Sequence, residues 1–282
     1  MTTTATRPIP APAVAEIDAP YALSPDAIAA YQKDGCIKLS RVLSAETLAL
    51  FEQEFTAKVI ELNTQHLPLE KRNTYARAFL QVGNLCFTSE TVKRFVFGKR
   101  LARIASELMG CRGVRLYHDQ ALYKEAAGGH TPWHCDQQYW PLDNPRSITA
   151  WIPLQAVPIE MGPLAFSVGS QVFTGGRHLD ISDESEEQLE RMLSGAYEHR
   201  EEPFALGDVS FHAGWTYHRA RGNSTGVCRK VMTIIYMDQD TRVAKAETPS
   251  QENDRLAFFK DLPIGALCET PLTPVIYTRS FS

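Results

Sequence analysis

The chain has 282 residues, enough for one large domain or two small ones with a substantial buried core. Its 29 Lys and Arg against 33 Asp and Glu give a formal net charge of −4 with no long basic run, which argues against nucleic acid or an anionic membrane surface as a partner. No apolar stretch has the length of a membrane span.

The first twenty residues, MTTTATRPIPAPAVAEIDAP, are rich in Thr, Ala and Pro and lack the apolar core of a secretory signal. They read as a disordered tail (1–20) ahead of a single domain (21–282). SPDAIAAYQKDG reads as a helix, with Ser24 as cap, Pro25 in its first position and Gly35 past its end. CIKLSRVL then reads as a short strand. SAETLALFEQEFTAKVIELN is a second helix, capped by Ser44, with Leu48, Leu50, Phe51 and Phe55 at helical spacing. Residues 66–110 read as mostly helical and irregular.

From about residue 111 the texture changes. GVRLYHDQALYK, SITAWIPLQAV, PLAFSV, PFALGDVSFHAGWTYHRA and RKVMTIIYMD are short apolar or alternating runs, punctuated by Gly, Pro and Asn. Many short strands at this spacing predict a mainly β jelly roll or sandwich with flanking helices. SDESEEQLERML interrupts them as an inserted helix, capped by Ser182 and acidic in its first turn. The last residues, from TPLTPVIYTRS on, read as a coil packed against the body. Six cysteines (Cys36, Cys86, Cys111, Cys135, Cys228, Cys268) form no C-x-x-C pair. A structural zinc site is therefore not expected, and reduced thiols in a cytoplasmic setting are.

The densest chemistry lies in HTPWHCDQQYW, residues 130–140. In an extended segment residues i and i+2 point to one side, so His134 and Asp136 project together and Cys135 points away. Two neutral imidazoles and one carboxylate make the facial triad of non-haem Fe(II) oxygenases, with a third ligand supplied from a distant strand. Both His212 and His218 sit in such strand-rich sequence, GDVSFHAGWTYHRARGNSTGVCRK. His178 and His199 flank the acidic helix and are expected to be exposed, His66 lies in the helical part, and His130 reads as a loop residue. His118 alternates with Gln120 on a strand and faces either a cavity or the core. Trp133, Tyr139 and Trp140 read either as walls of a pocket or as core. The chain has no G-x-G-x-x-G, no phosphate-cradling loop and no G-x-S-x-G elbow.

The H-x-D tripeptide at 134–136, the GD of GDVSFH, the H-x-x-x-x-N of HRARGN and a downstream Arg together resemble the phytanoyl-CoA dioxygenase family. AYQKDGCIKLSRVLSAETL is similar to the family's N-terminal opening. GPLAFSVGSQ is similar to its G-x-L-x-x-x-x-G-S-H segment, with Gln171 in place of the common His. The resemblance implies a double-stranded β-helix that uses Fe(II), 2-oxoglutarate and O2 to hydroxylate, or otherwise oxidise, a small organic metabolite, with release of succinate and CO2. It implies His134, Asp136 and His218, rather than His212, as metal ligands and catalytic centre. It further implies Arg229 as partner of the far carboxylate of 2-oxoglutarate, with Trp151 and Gln120 beside that cosubstrate. Some family members carry a hydroxyl residue two positions after the distal histidine, where this chain has Ala220. The fold also implies a cover over the site, expected from residues 66–98 and the loop after Asp136. Two other readings keep parts of this pattern: a non-catalytic ligand-binding protein of the same fold, and a zinc hydrolase using the same ligands.

Overall fold

The computed structural model describes residues 9–279. Helix α1 (Ala11–Asp18) opens it, where a disordered tail over 1–20 was expected. Ala13 and Ile17 stand one turn apart and are both buried, which gives these residues an apolar stripe to dock. Glu16 accepts hydrogen bonds from the Ser44 amide and hydroxyl, and Asp18 pairs with Arg94. Residues 1–8, the rest of that expectation, lie outside the described residues.

Helix α2 (Pro25–Asp34) starts where Ser24 accepts from the Ala27 amide. It stops at Gly35, whose φ of 72° is in the left-handed region and whose missing Cβ leaves room for Gln171 and Thr216. The chain passes through β1 (Cys36–Leu39) into α3 (Ala45–Leu62), capped by Ser44 as expected. Leu48, Phe51, Phe55 and Val59 recur every three or four residues and form its buried stripe. A short α4 (Thr74–Ala78) and β2 (Leu80–Gly83) follow. Then come α5 (Glu90–Val96) and α6 (Lys99–Met109), which buries Leu101, Ile104, Ala105 and Leu108. Phe95 of α5 meets the rings of Phe51 and Phe55 at 4.9 and 5.2 Å between centroids.

The strands are β3 (Gly113–Tyr123), β4 (Thr131–His134), β5 (Ser147–Pro153), β6 (Leu164–Val168), β7 (Glu198–Glu201), β8 (Val209–Ala213), β9 (His218–Ala220), β10 (Val231–Asp238) and β11 (Val275–Thr278). They make two antiparallel sheets. The major sheet runs β1-β8-β5-β10-β3-β11, with β2 also pairing β3, and the minor sheet runs β4-β9-β6-β7. Two facing antiparallel sheets of this kind are the double-stranded β-helix, a jelly-roll variant.

Period-two alternation sorts each strand of the major sheet. Ile148, Ala150 and Ile152 on β5, Val209 and Phe211 on β8, and Met232, Ile234 and Tyr236 on β10 share one apolar core with α3, α5 and α6. The intervening residues Thr149, Trp151, His212 and Thr233 line a cavity on the opposite face. Helix α7 (Asp183–Leu193) is the inserted acidic helix, with Ser182 and Ser185 capping each other reciprocally. β7 was not expected, because its charged EHRE carries no apolar alternation. The expected C-terminal coil contains β11, whose Val275–Thr278 pairs with the start of β3. Ahead of it lies α8 (Pro249–Phe258), capped by Thr248. All six cysteines are free thiols, and no described helix is long and apolar enough to cross a membrane.

Candidate active site

β4 ends at His134, and Cys135 continues extended (φ −124°, ψ 137°) before a 3₁₀ turn over Asp136–Tyr139. His134 and Asp136 therefore leave the chain on one side. Cys135 turns into a buried cluster with Trp133, Leu189 and Tyr217, so Trp133 belongs to the core rather than to a pocket wall. β9 brings His218 directly opposite His134 in the β4–β9 register. Asp136 Oδ1 lies 3.7 Å from His134 Nε2 and 3.6 Å from His218 Nε2. The three donor atoms are all within 4.8 Å of one another, a spacing that one cation can bridge.

Each group is held by a second interaction that leaves its donor atom free. His134 Nδ1 donates to the Pro132 carbonyl at 2.8 Å and His218 Nδ1 to the Thr216 carbonyl at 3.0 Å. Both Nε2 atoms are thereby left as lone-pair donors. Asp136 Oδ2 accepts from the Thr149 hydroxyl at 2.8 Å and from His212 Nε2 at 3.2 Å, which leaves Oδ1 for a ligand. Burial pushes His134 and His218 down to about 4, so both imidazoles are neutral at pH 7. Burial pushes Asp136 the other way, but the rings of His218, His212 and His134 outweigh it and hold the carboxyl well below its usual range. His212, passed over as a ligand in favour of His218, thus orients the carboxylate. The H-x-x-x-x-N pattern sets His218 apart as the ligand but gives His212 no role.

The triad opens into a cavity of about 670 Å³. Arg229 and Trp151, both about 1% exposed, stand on its wall. The guanidinium donates to the Gly162 carbonyl and lies 5.4 Å from the Trp151 ring, but no carboxylate among the described residues faces it. Its Nε and the Trp151 Nε1 are buried donors without partners among the described residues. Burial brings Arg229 down only to about 10, so it stays charged at neutral pH. A buried cation beside orphaned donors fits an anionic, acceptor-rich ligand. Gln120 also lines the cavity and accepts from Gln81 Nε2 at 2.6 Å.

Lys124 stands opposite Arg229 in an isolated β-bridge and is fully buried, its ammonium donating to the Gly129 carbonyl. Burial and the neighbouring Arg229 push it down to about 6, which leaves Arg229 the lasting cation of the pair. Ala220 lines the cavity, as does its register partner Thr131. The Thr131 hydroxyl is buried and has no partner among the described residues.

His66, His130, His178 and His199 lie outside this cluster, and His130 makes only a 3.5 Å contact with Asp183 at the surface. His118 does face the cavity. The outer wall comes partly from the expected cover: Tyr75, Phe79, Gln81 and Asn84 in 66–98, and Tyr139 and Trp140 after Asp136. The rest comes from α8, whose Ser250, Asn253, Asp254 and Phe258 line the cavity. Gln251 of α8 donates to the Gln138 carbonyl at 3.0 Å, tying this helix to the turn that carries Asp136. The sequence around α8 carries no motif, only a Thr-Pro start signal.

Solved structures of low sequence identity share this architecture. The non-heme alpha ketoglutarate dependent carbocyclase SnoK from nogalamycin biosynthesis is 23% identical with a TM-score of 0.74, over 90% of this chain and 97% of its own. The epimerase SnoN from the same biosynthesis is 24% identical with a TM-score of 0.69, over 89% and 97%. EctD from S. alaskensis, solved with bound Fe, is 21% identical with a TM-score of 0.66, over 80% and 82%. These likenesses establish the fold. No curated protein sequence matches the chain. The family model of phytanoyl-CoA dioxygenase matches residues 31–231, well over half of the sequence and with the triad, Trp151 and Arg229 inside it. The chain therefore belongs to the phytanoyl-CoA dioxygenase family of iron- and 2-oxoglutarate-dependent oxygenases.

Proposed function

We propose that the protein oxidises an unactivated C–H bond of a small organic metabolite, by hydroxylation or desaturation, and that 2-oxoglutarate leaves as succinate and CO2. The observation that carries this reading is the convergence of three ligand atoms beside an uncompensated buried guanidinium. His134, Asp136 and His218 would hold Fe(II), and Arg229 the far carboxylate of 2-oxoglutarate. Bound together with O2, iron and 2-oxoglutarate supply the oxidant that removes hydrogen from the substrate.

The chain's own residues position and shield. Thr149 and His212 keep one Asp136 oxygen occupied and aim the other. Trp151 Nε1 and the Thr131 hydroxyl are free to donate to the cosubstrate. Thr131 thereby takes over, from the opposite strand, the role that a hydroxyl at position 220 has in some relatives. Tyr75, Phe79, Tyr139 and Trp140 wall the outer cavity and exclude water. The free thiols suit a reducing compartment such as the cytoplasm. A zinc hydrolase would leave Arg229 without a task, and a purely ligand-binding protein would have no need of three free donor atoms.

Succinate formation is expected to depend on Fe(II), to fail with Zn(II), and to rise with a true substrate whose product is oxidised by two electrons. Excess chloride or bromide is expected to leave that product free of halogen by mass spectrometry. Asp136 fills the position that halide would need, and its negative charge disfavours a second anion beside it. Hydrolysis of the substrate without succinate would overturn the oxidative reading, and a halogenated product would remove Asp136 from the ligand set.

A further inference from the structure

We infer that Asp254 is the substrate-recognition residue of this pocket and that the metabolite it recognises carries a basic nitrogen, as an ammonium or substituted ammonium. This rests on the iron- and 2-oxoglutarate-dependent reading of the site and names the substrate class for it.

Helix α8 turns Ser250, Asn253, Asp254 and Phe258 toward the cavity, positions that share one helical face. On a helix that merely covers a core this stripe is apolar. Here three of its four members are polar; Phe258 is buried and Asp254 half-buried. The stripe is therefore built to meet a ligand rather than to pack.

Asp254 itself is poorly compensated. The Tyr117 hydroxyl donates to it, and no Lys, Arg or His among the described residues balances its charge. Burial raises its carboxyl to about 6, so it is an anion at pH 7 that is short of a partner. His118, which lines the same cavity, does not serve, because burial holds that imidazole uncharged at about 4.

The charges facing the cavity make the same point. They belong to Asp136, Arg229 and Asp254. A metal ion takes Asp136 and the far carboxylate of 2-oxoglutarate takes Arg229, which leaves Asp254 for the substrate. An anionic substrate would be repelled there, and a neutral one would leave the carboxylate desolvated and unpaired. Tyr117, which donates to it, forms one aromatic cluster with the His118 and Trp140 rings and Phe258, with Tyr117 and His118 at 5.1 and 5.6 Å from Phe258. A carboxylate set among aromatic faces favours an organic cation.

The test uses the full chain loaded with Mn(II), as a redox-inert stand-in for iron, and with 2-oxoglutarate. It is titrated with 2-phenylethylamine and with the neutral, nearly isosteric 2-phenylethanol, followed by calorimetry or ligand-observed NMR. The wild type is expected to prefer the amine by about fivefold or more. Asp254→Asn keeps the shape and an acceptor for Tyr117, and is expected to reduce that preference to less than about twofold. Equal affinities in the wild type, a preference that survives in Asp254→Asn, or no amine binding below about 20 mM would each overturn the inference. Binding of 2-oxoglutarate is read separately in the same samples. Its failure would sink the cofactor reading, and the amine-to-alcohol ratio would still judge Asp254.

Discussion

Asp136→Ala is expected to abolish succinate-coupled oxidation and to strip the protein of tightly held iron. The change removes the only carboxylate among three donor atoms that lie within 4.8 Å of one another. It also orphans the Thr149 hydroxyl and His212 Nε2, both of which now donate to Asp136 Oδ2. Leaving two buried polar groups unpaired costs about 1–3 kcal/mol each, so some loss of stability accompanies the loss of activity. Asp136→Asn separates the two effects. It keeps the side chain's shape and an oxygen for Thr149 but withdraws the negative charge, so it should fold near the wild type and still be inactive. Metal content by atomic absorption and melting temperature by calorimetry read the two quantities apart. Wild-type turnover in Asp136→Ala, with iron still bound, would remove this residue from the metal centre.

Arg229→Gln is expected to raise the 2-oxoglutarate requirement by at least about 30-fold, because truncating one partner of a buried charge pair costs about 2–5 kcal/mol. Arg229→Lys keeps the charge but loses the planar fork, and a rise nearer tenfold is expected. Lys124 is the natural rival, being buried opposite Arg229 across an isolated bridge. Its ammonium is depressed to about 6 by burial and by Arg229, so Lys124→Met should change the requirement little. Steady-state titration of 2-oxoglutarate at saturating iron decides between them. A flat response to Arg229→Gln with a steep one to Lys124→Met would move the anchor to Lys124.

Local signals were legible in the sequence where chemistry is local. The caps at Ser24, Ser44 and Ser182 read directly, since each side chain meets an amide three residues on. His134 and Asp136 read as a pair because extended backbone puts i and i+2 on one side. The long β5 and β10 announced themselves through apolar runs buried on both faces, and β3 through alternation. Non-local features did not read. β2 and β11 are four residues each and exist because β3 offers them an edge, which no property of their own sequence reveals. α8 reaches the pocket from the far end of the chain, and only the fold brings Asp254 to Tyr117. Strand alternation aims both His212 and His218 inward and does not itself choose between them; the family's H-x-x-x-x-N pattern chose His218, and only the fold shows that His212 meets the Asp136 carboxylate.

His134 and His218 face each other across β4 and β9, although 84 positions (134 to 218) separate them along the chain. Contacts that distant form only after intervening strands have found their partners, since loop closure must precede them. The chelating pair therefore does not exist in an unfolded or half-assembled chain. A cation held by the pair favours the finished fold by about 2.7 kcal/mol when its free concentration is a hundred times its dissociation constant. Iron supply and protein abundance are then expected to be coupled: a newly made chain in an iron-poor cell lacks this clasp between two short strands of its minor sheet and stays longer within reach of proteases, whereas a chain that has captured the ion has joined β4 to β9.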